Sequence, residues 1–272
     1  MDDIKDLDIE KCREFLFSNG YVVLPILNKQ LIKITQEATK NLQRNDSNLL
    51  TAERNTWHEL VKSKQDELNG VDLLNLIICS QSPLIEELIQ EPSLAWVNVV
   101  KLRAVRPIRH TKIGDHVPFH RETLYASNAQ VRHQFNLWIP ISSAATVSGL
   151  QYLPGSHCIL DSTLEIENTT NHPSAVSQFS AGHAIGYPYR PRLIKNLSEL
   201  TNSQPQTAAV PIGHCILFSA MLIHGNGINK TKSTRFSIDT GFIPSRYLLE
   251  NKKIHATMPN THYRITGAKS IN

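Results

Sequence analysis

The chain has no run approaching about 18 consecutive apolar residues, so nothing in it reads as a membrane-spanning helix. Its four cysteines, Cys12, Cys79, Cys158 and Cys215, are far apart and form no C-x-x-C pair. That excludes a zinc ribbon or a dithiol redox motif. The acidic start, Met1-Asp2-Asp3, does not resemble a secretory or transit signal, and free thiols in a reducing cytoplasm are the expectation. Charge imbalance is also slight. The 28 basic residues against 24 acidic ones leave +4, too mild to argue for a nucleic-acid partner. There is no internal repeat and no low-complexity tract.

What is present is enough apolar material for a core, 40% of 272 residues, in a chain with an ordinary 19% of charged groups. The charge is unevenly placed. Residues 101–121 hold Lys101, Arg103, Arg106, Arg109, Lys112 and Arg121 against Asp115 alone. This is either a solvated basic edge or a site for anionic small molecules.

The first ninety residues read mostly as helix. Asp8 caps a helix through Ser18 with Ile9, Cys12, Phe15 and Leu16 on its apolar side, and Gly20 stops it. A short strand follows at 21–24, ended by Pro25. Asn28 caps a second helix, and the polar stretch 41–48 reads as loop. Ser82 and Pro83 read as the cap and first position of a helix over 84–89.

After Pro92 the texture changes to short strand-like runs: 94–105, 131–141, 150–153, 208–210, 215–218 and 234–242. Such spacing predicts a sandwich, barrel or double-sheet jelly roll. The less regular 161–207 reads as an insertion over one end of the sheet. The expectation is a single domain over 1–272, helical to about 92, with a β core over about 93–250 interrupted by the insert at about 161–207.

Two stretches carry chemistry. In Val117-Pro118-Phe119-His120-Arg121-Glu122-Thr123-Leu124-Tyr125, an extended backbone puts His120 and Glu122 on one face, about 7 Å apart. An imidazole and a carboxylate supply two ligands of a 2-His-1-carboxylate site, the arrangement that non-haem Fe(II) oxygenases use. His110, His116 and His133 lie near His120 in sequence and read as surface if His120 is the ligand.

The second stretch, 213–229, is a turn, an apolar strand and then His224 in a Gly/Asn-rich bend. Eleven residues on comes Arg235, alternating with Phe236 and Ile238. A guanidinium pointing into a barrel needs an anion, and a carboxylate suits it.

With these stretches in view, the chain resembles the phytanoyl-CoA dioxygenase family of Fe(II)/2-oxoglutarate oxygenases over about 15–246. The opening Phe17-Ser18-Asn19-Gly20-Tyr21-Val22-Val23-Leu24-Pro25 is similar to its N-terminal signature. Gly149-Leu150-Gln151-Tyr152-Leu153-Pro154-Gly155-Ser156-His157 is similar to its P-G-S-H segment, and 213–229 with Arg235 to its distal histidine segment.

The resemblance implies a mainly β fold, a double-stranded β-helix (a cupin-like jelly roll) with flanking N-terminal helices. It implies iron ligands at His120, Glu122 and His224, with 2-oxoglutarate as co-substrate, O2 as oxidant, and succinate and CO2 as by-products. Arg235 would pair with the distal carboxylate of 2-oxoglutarate. Arg106, fourteen residues before His120, falls where some relatives place an assisting lysine. Trp138 corresponds to a tryptophan flanking the co-substrate, Tyr125 to an aromatic beside the site, and Asn226 to the serine that usually follows the distal histidine. His157 is read as structural.

Two departures stand out: Glu122 occupies a position where the family usually has aspartate, and His214 another such position in a turn. A carboxylate at 122 argues against the halogenase branch. The basic run favours a small polar or anionic substrate, with monomer or homodimer as the default. Two other readings stay open at this point: a cupin-like metal-dependent isomerase that does without 2-oxoglutarate, and a non-catalytic ligand binder.

Overall fold

The computed structural model describes residues 7–43, 47–110, 115, 117–124, 129–142, 148–168, 192–200, 204–250 and 263–266. The first helix, α1 (Ile9–Asn19), is capped by Asp8, whose side chain accepts from the Lys11 N–H at 3.1 Å. Gly20 ends it at φ 83°, a left-handed conformation in which its N–H returns to the Leu16 carbonyl. The chain turns directly into β1 (Tyr21–Pro25). Asn28 accepts from the Gln30 N–H at 3.0 Å ahead of α2 (Lys29–Gln43). Helix continues into the polar stretch read as loop, and α3 (Ser47–Thr51) begins within it. The helices α4 (Arg54–Gly70) and α5 (Leu73–Ile89) complete this layer.

Pro83 corrects the sequence reading: it lies inside α5 instead of opening a helix. Proline removes one helical N–H, but Leu74, Ile77, Ile85 and Leu88 are buried on both sides of it, and that packing carries the helix through. Ser82 caps nothing; its hydroxyl accepts from Trp96 Nε1 at 3.0 Å.

After Pro92 come β2 (Leu94–Val97), β3 (Lys101–Val105), β4 (Phe135–Pro140), β5 (Leu150–Tyr152), β6 (Ile166–Asn168), β7 (Arg192–Ile194), β8 (Gln206–Thr207), β9 (His214–Ser219), β10 (His224–Asn226) and β11 (Arg235–Pro244). A short helix, α6 (Ser245–Glu250), and β12 (Tyr263–Ile265) follow. The run 94–105 is therefore two strands, and 208–210 is not strand, although Ala208 and Val210 are buried.

The larger sheet has the order β1-β9-β4-β11-β2-β12, with β3 also paired to β11. The smaller has the order β10-β5-β8, and β6 pairs with β7 within the expected insert.

Alternation along the strands gives the larger sheet two different faces. Leu102, Leu137, Ile139, Leu217, Phe236 and Ile238 face the helices and share one core with Leu31, Trp57, Ile77 and Leu88. Each such side chain contributes roughly 1.5–3 kcal/mol by leaving water. On the other face Trp138, Ile216 and Phe218 pack with Leu150 and Tyr152 of the smaller sheet. Two facing antiparallel sheets with helices behind one of them make the expected jelly roll. Among the described residues no single helix is long and apolar enough to cross a membrane.

Candidate metal centre

His120 and His224 meet backbone to backbone across an isolated antiparallel bridge, each N–H reaching the other's carbonyl at 2.8 Å. Their rings lie 4.4 Å apart. Nδ1 of His120 is 2.8 Å from the Pro118 carbonyl, and Nδ1 of His224 is 2.8 Å from the Leu222 carbonyl. A carbonyl only accepts, so both Nδ1 atoms carry a proton, and Nε2 is the ring atom that each histidine can offer to a metal. This is the tautomer a metal-binding histidine uses.

Glu122 arrives by a different route from the one expected. The stretch around it is not a strand: beyond the bridge at His120 the chain enters a 3-10 turn, Glu122–Leu124. Its backbone N–H is held by the Ala220 carbonyl at 3.0 Å. The turn brings Oε1 to 3.6 Å from His224 Nε2. One donor atom from each of His120, Glu122 and His224 lies within 4.8 Å of the others. Two imidazoles and one carboxylate converging in this way fit a single divalent cation that keeps positions open for other ligands.

Two further features hold this stretch in place. A Cβ on Gly225 would sit 3.0 Å from the Val117 carbonyl oxygen and 3.1 Å from the Phe119 nitrogen, so only glycine lets the chain pass this close. Arg121, between the two candidate ligands, is fully buried and donates to the Ile159 and Ser156 carbonyls and to Asp161 at 2.7–2.8 Å. It ties the stretch to the P-G-S-H segment. There His157 packs against Gly20 and donates to the Phe17 carbonyl at 3.0 Å, a structural contact.

Burial pushes His120 down to about 3, with His224 beside it adding to the shift. Burial alone would raise the Glu122 carboxyl, but the contact with His224 and the nearby imidazoles outweigh it and hold the group well below the usual carboxylate range. His120 is thus kept as a neutral donor and Glu122 as an anion.

Arg235 is fully buried on the inner face of β11. Its Nη1 donates to the carbonyls of Ser148, Gly149 and Gly227, while Nε and Nη2 have no partner among the described residues. Burial pushes it down to about 9, the Arg103 charge adding to that. A buried guanidinium with two idle donors and no carboxylate fits an anionic ligand. Ser237 Oγ, next on the same strand face, and Trp138 Nε1 are likewise buried without partners among the described residues.

Trp138 and Asn226 line the pocket around the three candidate ligands. Tyr125 lies outside the described residues. Arg106 is a correction. It is buried away from that pocket, paired to Asp115 at 2.8 Å, bonded to the Ala52 carbonyl and stacked over Trp57. The cation that does line the pocket is Arg103, held by Asp239 at 2.8 and 3.2 Å. Strand parity was the available signal, since Arg103 and Arg106 fall on opposite faces of β3 as it runs on.

A facing pair of antiparallel sheets enclosing a His–Glu–His cluster defines a metal-binding jelly roll. The model of the family described as phytanoyl-CoA dioxygenase matches residues 18–237, and the chain belongs to this family. It is accordingly an Fe(II)- and 2-oxoglutarate-dependent enzyme. No curated protein sequence matches it.

Among solved structures it is similar to SnoK, a non-heme alpha ketoglutarate dependent carbocyclase from nogalamycin biosynthesis. The TM-score is 0.52 at 14% identity, over 88% of this chain and 85% of SnoK. It is also similar to AviO1 from Streptomyces viridochromogenes Tue57, with a TM-score of 0.51 at 17% identity over 87% and 95% of the two chains. EvdO2 from Micromonospora carbonacea var. aurantiaca, in complex with 2-oxoglutarate, gives 0.50 at 14% identity over 86% and 90%. At these identities the likeness is one of fold.

Proposed function

We propose that this chain hydroxylates an unactivated C–H bond of a small polar or anionic metabolite, with His120, Glu122 and His224 as the iron ligands. Fe(II) with 2-oxoglutarate supplies the oxidation: O2 is split between succinate, formed with loss of CO2, and the new hydroxyl group. The protein's part is placement. The fixed tautomers of His120 and His224 present Nε2 to the metal, and Glu122 supplies the negative charge. Arg235 receives the distal carboxylate of the co-substrate through Nε and Nη2. Ser237 follows on the same face of β11, Arg103 stands across from it on the neighbouring β3, and Trp138 closes one wall.

The observation that carries this reading is Arg235, because a buried guanidinium with two nitrogens unpartnered among the described residues has no use in a site that binds no anion. It also weighs against an isomerase on the same barrel. Polar groups on the remaining wall, Asn136, Asn226 and the Arg103–Asp239 pair, support a polar substrate, while Leu150 and Phe218 exclude water. We read the chain as one domain, because the helices and the larger sheet share a single core. Four unpaired cysteines support a reducing compartment such as the cytoplasm.

The reading is tested by following succinate formation from 2-oxoglutarate with a panel of metabolites. Stimulation by anionic or polar compounds that return with one added oxygen is the expected result. Stimulation by neutral lipids alone, or a ring-closed or epimerised product, overturns the substrate class or the hydroxylation.

A further inference from the structure

A glutamate has one more rotatable bond than an aspartate, so its carboxylate has more ways to miss a metal. At Glu122 a ring of contacts removes that freedom. Asn136, buried on β4, donates from Nδ2 to Glu122 Oε1 at 3.2 Å. Gln134 donates from Nε2 to Asn136 Oδ1 at 2.7 Å. A carboxylate only accepts, so the Asn136 amide must point its NH2 at Glu122, and the Gln134 contact holds that orientation. The ring closes through the backbone: the Gln134 carbonyl accepts from the Ala220 N–H at 2.9 Å, and the Ala220 carbonyl accepts from the Glu122 N–H at 3.0 Å.

The two amides also occupy room that a missing side chain leaves. Gly241 is the cross-strand partner of Asn136, and a Cβ on it would sit 2.9 Å from Asn136 Oδ1 and 3.0 Å from Gln134 Nε2.

We propose that Asn136 is a positioning residue that lets a glutamate serve as the carboxylate ligand of this site, with Gln134 orienting it and Gly241 making room for both. This rests on the reading of Glu122 as a metal ligand. Partners that orient metal ligands in this way typically change metal affinity about 10–100-fold when removed.

The test is Co(II) binding to metal-free protein, followed by calorimetry and by the cobalt visible spectrum, with melting temperature measured alongside. Asn136→Ala is expected to weaken Co(II) by about 10–100-fold. Gln134→Ala should weaken it less, and both should alter the cobalt spectrum. Gly241→Ala, which crowds the amides without deleting them, should weaken it too and covers the case in which Asn136→Ala fails to fold. In a Glu122→Asp background the carboxylate is drawn back out of the reach of Asn136, so adding Asn136→Ala should cost little further affinity. The proposal is overturned if Asn136→Ala binds Co(II) like wild type and merely melts lower, or if it costs the same in both backgrounds. Wild-type affinity in Glu122→Ala would instead remove the ligand assignment itself, and the proposal with it.

Discussion

His120 and His224 come from segments about a hundred residues apart, yet they form a reciprocal backbone bridge at 2.8 Å that points both Nε2 atoms toward one spot. The bridge depends on the chain at 117–119 lying directly against Gly225. Gly225→Ala pushes that backbone away by a few tenths of an ångström. The expected cost is about 1–3 kcal/mol of stability, as for other overpacked sites. Metal affinity falls with it, because the two imidazoles separate. Thermal melting and Co(II) titration check both parts.

Arg103 and Arg106 should behave differently. Arg106→Ala leaves Asp115 buried without its partner, which costs about 3–5 kcal/mol. The 2-oxoglutarate requirement of the folded protein should stay unchanged. Arg103→Ala should do the reverse, raising the 2-oxoglutarate concentration needed for half-saturation roughly 10-fold, the worth of one charge-assisted contact. Denaturant melts and 2-oxoglutarate titrations of the two variants separate the roles.

Much of the fold was written locally, and the parts that were not share a cause. Asp8, Gly20 and Asn28 mark helix ends through contacts within a few residues, so their meaning could be read in the sequence. Glu122 could not be read this way. Its turn is set by the carbonyl of Ala220, a contact that only the folded chain supplies. Pro83 misled because tertiary packing on α5 overrode a strong local signal. The candidate ligands His120, Glu122 and His224 were legible as a pattern, and the structure brings them together. Arg106 falls where the resemblance places an assisting cation, whereas alternation along β3 puts Arg103 on the pocket side. Asn136 had no signal of its own, since its role depends on Gln134 and Gly241.

The thiols should sort by environment. Burial pushes the Cys215 thiol up to about 12, and it donates to the Leu24 carbonyl of the paired strand β1. Cys79 and Cys158 are exposed, while Cys12 is half-buried and raised by burial. A disulfide reagent at neutral pH should label Cys79 and Cys158 quickly and Cys12 slowly, leaving Cys215 untouched until the protein unfolds. Rapid labelling of Cys215 in the native protein would contradict the packing of β1 on β9.

Metal should stabilise the fold by mass action. At a concentration 100 times its dissociation constant, a ligand of the folded state alone adds about 2.7 kcal/mol. For a chain of this size that corresponds to a rise of roughly 5 °C in Tm. Added Co(II) should give this rise in wild type and not in His224→Ala, whose ligand set is incomplete.

The most direct test of the central claim is anaerobic. Fe(II) and then 2-oxoglutarate are added to metal-free protein, and the weak visible charge-transfer absorption of the iron–oxoglutarate chelate is sought. Wild type should give a band, His224→Ala none, and Arg235→Ala a band that needs roughly 100-fold more 2-oxoglutarate, the loss expected for a bidentate charge-assisted pair. Iron that binds without producing the band would contradict the assignment of Arg235 and favour a barrel enzyme that does without the co-substrate. Failure of wild type to bind iron would contradict the assignment of Glu122 as a ligand.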